Sequence, residues 1–146
     1  MSRERADVVY GVLGAIALLL ALFFGVRWIA GSGDGDAPVP RLELLRPADG
    51  DTAAQPLEVV FDAGAALRPG PGGWVAGDRH LHLGVGVGAG ALMPAPGDLR
   101  PAGGTRYAWT LPRLEPGTHA LRLFWSDAAH RPLAAGASRA AAVTVR

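Results

Sequence analysis

The sequence predicts an all-β immunoglobulin-like sandwich preceded by a single N-terminal transmembrane α-helix. Three observations carry this expectation. Val8–Val26 is a run of nineteen residues without a charge. After residue 40 the chain breaks into short apolar runs separated by Pro, Gly and Asp, at the spacing of a sandwich. No segment past the apolar run sustains a 3.6-residue apolar period.

The N-terminal run comes first. At 1.5 Å rise per residue it is about 28 Å long, close to the hydrocarbon thickness of a bilayer. Tyr10 and Trp28 stand near its ends, where amphipathic rings favour the interface. A cleaved signal peptide would have a shorter apolar region and a small-residue cleavage site, whereas Arg27-Trp28-Ile29 follows here, with Ala30-Gly31-Ser32 the nearest such site. Arg3 and Arg5 precede the span and Arg27 follows it, a mild bias toward a cytoplasmic N-terminus. The expected organisation is a cytoplasmic flank over 1–7, the transmembrane helix over 8–29, a flexible linker over 30–40 and an extracytoplasmic β-sandwich over 41–146. This places the chain in the inner membrane as a single-pass protein with a periplasmic C-terminal domain. Gly14, Ala17, Ala21 and Gly25 form a small-residue stripe on the helix, a face that lets another helix approach closely.

Gly31–Pro40 is linker-like in composition, flexible at its glycines and stiffer at its prolines. The remaining length, about 110 residues, suits one sandwich. Strands are expected near Arg41–Leu45, Leu57–Phe61, Arg79–Val87, Thr105–Leu111, Thr118–Ser126 and Arg139–Arg146, with a weaker one within Gly88–Leu99. Alternation turns Leu81, Leu83, Val85 and Val87 inward, together with Leu121, Leu123, Trp125, Val143 and Val145. Tyr107 and Trp109 complete the expected core. An immunoglobulin-like order makes the third, fifth and last of these strands neighbours. Their outer face then carries Gly84, Gly86, Gly88, Ala120, Arg122, Phe124 and Ala142, an almost side-chain-free docking surface with an exposed Phe.

Composition narrows the chemistry. The net charge is +1 and all 14 basic residues are arginine, so no basic field points to nucleic acid. The absence of cysteine excludes disulfides, thiolate metal sites and thiol catalysis. His80 and His82, two apart on a strand, project to one side, and the loop after the Thr118–Ser126 strand brings His130 and Asp127 to the same end. Three imidazoles, with Asp78 or Asp127 nearby, suit Cu(II) or Zn(II). His119 falls at the opposite end of its strand, roughly 20 Å away. Ser126, Asp127 and His130 are the residue types of a hydrolase triad, but they crowd one turn without a Gly-x-Ser-x-Gly context. The Gly84, Gly86, Gly88, Gly90 run lacks dinucleotide-binding spacing.

Leu44-Leu45-Arg46-Pro47-Ala48-Asp49-Gly50, Asp78-Arg79-His80-Leu81-His82-Leu83, Pro116-Gly117-Thr118-His119-Ala120-Leu121 and Asp127-Ala128-Ala129-His130-Arg131-Pro132 resemble motifs of an uncharacterised family. Its members are bacterial exported immunoglobulin-like domains with a mid-domain histidine cluster and a P-G-x-H-x-L strand. The resemblance spans most of Arg41–Arg146 and implies a sandwich and export. The family often runs several histidines together, where this chain has Asp78-Arg79, and the anchor is not a general family feature.

The functional expectation is a non-enzymatic, membrane-anchored accessory subunit. It would dock on a larger membrane complex, such as a respiratory assembly or a photosynthetic reaction centre with its antenna ring, with lipid and other subunits as partners. A periplasmic copper- or zinc-handling domain is the alternative. An extracytoplasmic ligand or cell-envelope binding module is a third reading, resting on the Asp62–Asp78 loop and an exposed Trp74.

Overall fold

Alternating apolar residues build eleven strands over residues 37–86 and 90–146, which a computed structural model describes. They are β1 (Glu43–Arg46), β2 (Thr52–Ala53), β3 (Glu58–Asp62), β4 (Arg68–Gly70), β5 (Gly73–Ala76), β6 (Arg79–Val85), β7 (Ala91–Leu92), β8 (Leu99–Pro101), β9 (Arg106–Thr110), β10 (Gly117–Ser126) and β11 (Ala141–Val145). The expected membrane span, its Gly14, Ala17, Ala21 and Gly25 face and most of the linker lie outside the described residues, as do Val87 and Gly88. Among the described residues no helix is long and apolar enough to cross a membrane.

Two sheets form. One has the order β1-β3-β9-β8, the other β2-β11-β10-β6-β5-β4, with β7 pairing the edge of β6 beyond β5. All pairings are antiparallel except β11 with β2, which is parallel. The expected adjacency of β6, β10 and β11 is observed, with Leu123 opposite Leu83 and His119 opposite Val143.

The core lies where alternation puts it. Leu81, Leu83, Leu121, Leu123, Trp125, Val143 and Val145 of the larger sheet meet Val59, Phe61, Tyr107 and Trp109 of the smaller one, all buried. Each fully buried Leu or Phe contributes about 1.5–3 kcal/mol of transfer free energy, so these side chains hold a domain that has no disulfide. Phe61 stacks on Tyr107 with centroids 6.0 Å apart.

Three details differ from the sequence expectation. The segment read as a long Asp62–Asp78 loop folds back as the β4–β5 hairpin, with Arg68 opposite Val75 and Pro69 opposite Trp74. Pro69 and the neighbouring glycines hide this strand, yet a proline is tolerated on an edge such as β4. Strand β6 stops at Val85 because Gly86 turns to φ 78 and gives its N–H to the Ala120 carbonyl, 2.8 Å away. The end of the expected linker is packed. Pro38–Arg146 is one compact unit, Val39 packs against the core, and the Trp125 Nε1–H donates to the Pro40 carbonyl at 2.8 Å.

Candidate functional site

Two features of the larger sheet bear on function: a histidine cluster at one end and a sparsely furnished outer face. The cluster begins on β6, where the two-residue repeat puts His80 and His82 on one side. Their register partners on β10 are Ser126 and Phe124. His130 arrives from the β10–β11 connection, and Asp127 organises that turn. Asp127 Oδ1 accepts the N–H groups of Ala129 and Arg131, both at 2.9 Å, while its carbonyl accepts the His130 N–H at 2.9 Å. Oδ2 accepts the Arg131 Nε–H at 2.8 Å. These bonds hold His130 at φ 58, a left-handed conformation that histidine adopts more readily than most residues.

The expected convergence of His80, His82 and His130 is therefore present. The ring centroids of His80 and His130 are 4.9 Å apart and those of His82 and His130 5.5 Å apart. His130 Nδ1 lies 3.4 Å from His82 Nε2, which is also 2.8 Å from Ser126 Oγ. The Ser126 hydroxyl in turn donates to the Asp127 carbonyl at 3.3 Å. The Phe124 ring stacks on His82 at 5.1 Å and 11°, sealing the side toward Gly84.

The histidines of β6 are not on an open surface, as a half-solvated sheet face would place them. His80 is 9% and His82 5% exposed, because His130, its turn and Phe124 cover them; His130 itself is exposed. Burial pushes the His82 pKa below its ordinary 6.5, and the neighbouring His130 and His80 push the same way. The Nδ1 atoms of His80 and His82 are buried without a hydrogen-bond partner among the described residues.

The two carboxylates expected nearby behave differently. Asp127 is engaged by its own turn, and the hydrogen bonds from the Arg131 N–H, the Arg131 side chain and the Ala129 N–H hold its carboxyl below the usual range. Asp78 sits exposed in the β5–β6 turn. Among the described residues no group of three or more His, Cys, Asp or Glu side chains is set to hold a metal ion as it stands. His119 lies at the far end of β10, its Nε2 2.7 Å from the Glu115 carbonyl oxygen.

Ser126 was legible only as part of a crowded triad, yet its contact is with His82 across the sheet. Such a pair is the first half of a nucleophile and base. Among the described residues no third group orients the pair, since His82 Nδ1 has no hydrogen-bond partner there, and Ser126 is fully buried.

On the outer face, Gly84, Gly86, Ala120, Arg122 and Phe124 line a shallow groove of about 350 Å³ with Pro132, Leu133, Ala137 and Ala140. Arg122 and Ala142 are exposed. Phe124 is half-buried instead of projecting, because its ring lies between His82 and Gly84. The β10–β11 connection walls the groove, through Leu133 N–H to the Trp125 carbonyl and Ser138 N–H to the Leu123 carbonyl. Trp74, expected to be exposed, is half-buried. Its Nε1–H donates to the Ala95 carbonyl at 2.9 Å and its ring tilts against Tyr107.

No family model matches the chain and no curated protein matches it. Among solved structures it is similar to the endo-β-1,4-mannanase from Thermotoga petrophila, at 13% identity and a TM-score of 0.47, over 78% of this chain and 21% of that one. The chain thus spans about a fifth of that protein's length.

Proposed function

We propose that the chain is a single-span, membrane-anchored accessory subunit whose β-domain docks on the extramembrane face of a larger membrane protein complex. The observation that carries this reading is the groove across β6 and β10, where Gly84, Gly86 and Ala120 present backbone and little else. Such a strip suits close approach by another polypeptide, and Arg122 beside it supplies an orienting charge. The sequence supports an integral membrane protein as the occupant. Val8–Val26 is apolar enough to stay in lipid, and the stripe of Gly14, Ala17, Ala21 and Gly25 offers a second contact on the same partner. Val39 and Pro40, the last residues before the first strand's approach, are held on the domain by packing against its core and by the bond to Trp125.

The test is purification from the native membrane in mild detergent, followed by native mass spectrometry. The wild-type chain travels with a membrane protein of defined stoichiometry. Ala120→Arg, which fills the groove without touching the core, releases it. A wild-type chain that always emerges alone defeats the proposal, and so does an Ala120→Arg chain that stays bound.

A further inference from the structure

The histidine cluster is closed over by the same connection that walls the groove. We propose that His80, His82 and His130 form an acid-operated latch. It holds the β10–β11 connection on the sheet while the rings are neutral and releases it when they take up protons. The latch stands on its own geometry, and only its effect on the groove rests on the docking reading.

The hydrogen-bond network assigns the protons. Ser126 Oγ donates to the Asp127 carbonyl, so the 2.8 Å bond to His82 is donated by the His82 Nε2–H. With that direction given to Ser126, His82 Nε2 has no lone pair left for a cation. His130 Nδ1 lies 3.4 Å from the same nitrogen and faces it with its lone pair. A proton on His130 Nδ1 therefore sets two N–H donors against each other. A proton on His82 Nδ1 makes a buried, charged donor with no acceptor among the described residues. The His130 ring also meets the β4–β5 hairpin tip, where a β-carbon on Gly72 would stand 3.7 Å from its Cε1 and Nε2. One ring thus joins the connection, the hairpin tip and β6.

The charges on the surrounding elements do not favour an imidazolium. Strand β6 brings Arg79, β10 brings Arg122 opposite Gly84, and β4 brings Arg68, which donates to the Gly77 carbonyl. Strands β5 and β7 carry no charged residue. Asp78 is exposed in the β5–β6 turn, and Asp127 is bound to Arg131 at 2.8 Å and to its own turn. Burial holds His82 below its ordinary 6.5, with His130 and His80 pushing the same way. The opened connection lets His82 take a proton that the closed one refuses. The closed state is therefore favoured above about pH 6.5 and loses ground as pH falls through the folded value. Asp127 stays ionised over that range, because its own carboxyl is held low.

Opening breaks the ties of the connection to the sheet. These are the bridge between Ser126 and Pro132 and the 2.8 Å bond from the Leu133 N–H to the Trp125 carbonyl. Pro132 and Leu133 line the groove, so acid removes one of its walls.

The experiment is single-amide hydrogen exchange by NMR on the full chain in detergent, corrected for the intrinsic pH dependence of exchange. One proton taken up on opening multiplies the open population by up to about tenfold per pH unit, so exchange at Leu133 accelerates at least about fivefold from about pH 7.5 to about pH 5. The Leu111 amide, bonded to the Leu57 carbonyl beside the smaller sheet, keeps its rate. His82→Gln keeps an N–H for Ser126 but does not titrate, and it cuts the acceleration to less than about twofold, while His119→Ala retains it. In the wild type, the imidazole ¹⁵N shifts of His82 move over the same pH range as the Leu133 rate. A pH-independent Leu133 rate, an equal acceleration at Leu111, full acceleration in His82→Gln, or a titrating His82 with Leu133 unmoved would each overturn the latch. None of these readings depends on a partner, so the latch and the docking proposal fail separately.

Discussion

Replacing Gly136 by alanine tests the packing that fixes the root of the tether. Gly136 has φ 81, and a β-carbon there would stand 2.6 Å from the Pro40 carbonyl oxygen, 2.6 Å from Val39 Cγ1 and 2.8 Å from Trp125 Cδ1. The left-handed backbone costs an alanine about 1–2 kcal/mol. Relieving three contacts this short adds about 1–3 kcal/mol, the usual range for overpacking. Gly50 supplies the control, because it has φ 85 and no atom of the described residues lies within 4 Å of where its β-carbon would stand, so Gly50→Ala carries the backbone strain alone. With a urea m-value of about 1–3 kcal/mol per M, the steric part separates the two unfolding midpoints by roughly 1 M. The assay is urea unfolding of the full chain in non-ionic detergent, followed by tryptophan fluorescence. Limited trypsin digestion should also speed up at Arg41 in Gly136→Ala, because the displaced segment loses its bond to Trp125. Equal midpoints for the two variants would refute the reasoning that Val39 and Pro40 are part of the folded domain.

Three further outcomes are expected. Trp125→Phe destabilises by about 1–2 kcal/mol more than Trp109→Phe, since the first strands the Pro40 carbonyl and the second removes an indole N–H with no partner among the described residues; equal losses in thermal unfolding would contradict this. Ser126→Ala leaves His82 Nε2 without its hydroxyl and costs about 1–3 kcal/mol in urea unfolding, and a cost near zero would show that the bond contributes nothing. The Asp62 carboxyl is held below its ordinary 3.8 by the Thr105 hydroxyl, the Gly64 N–H and the Arg106 charge. Its folded-state pKa is depressed, so its contribution is present above about pH 4 and lost as pH falls through the folded value. Asp62→Asn should flatten the fall in urea midpoint below pH 4, and an unchanged slope would count against that assignment.

The inward rows of β6, β10 and β11 were legible from sequence because a period of two leaves one choice of face once one strand is buried. The same reading put Tyr107 and Trp109 in the core, and the immunoglobulin-like order it assumed made neighbours of the three strands. It also brought His80 and His82 to one side and His130 to their end. It missed β4, because Pro69, Pro71 and the glycines around them read as loop; an edge position admits such residues, and edge position belongs to the assembled sheet. It placed Trp74 in water, whereas the Ala95 carbonyl that takes its indole N–H lies 21 residues away in sequence.

Local sequence determines which side of a strand a residue faces, since backbone geometry sets that by parity alone. It does not determine what covers that side. His82 is buried because a turn tied by Asp127 folds His130 over it and Phe124 lies against it, and both contacts join residues distant in the chain. The sequence therefore supplied the histidines and their shared end of the sheet. Only the tertiary structure set the 3.4 Å spacing of two imidazole nitrogens, because that distance depends on the register of β10 against β6 and on the left-handed turn at His130.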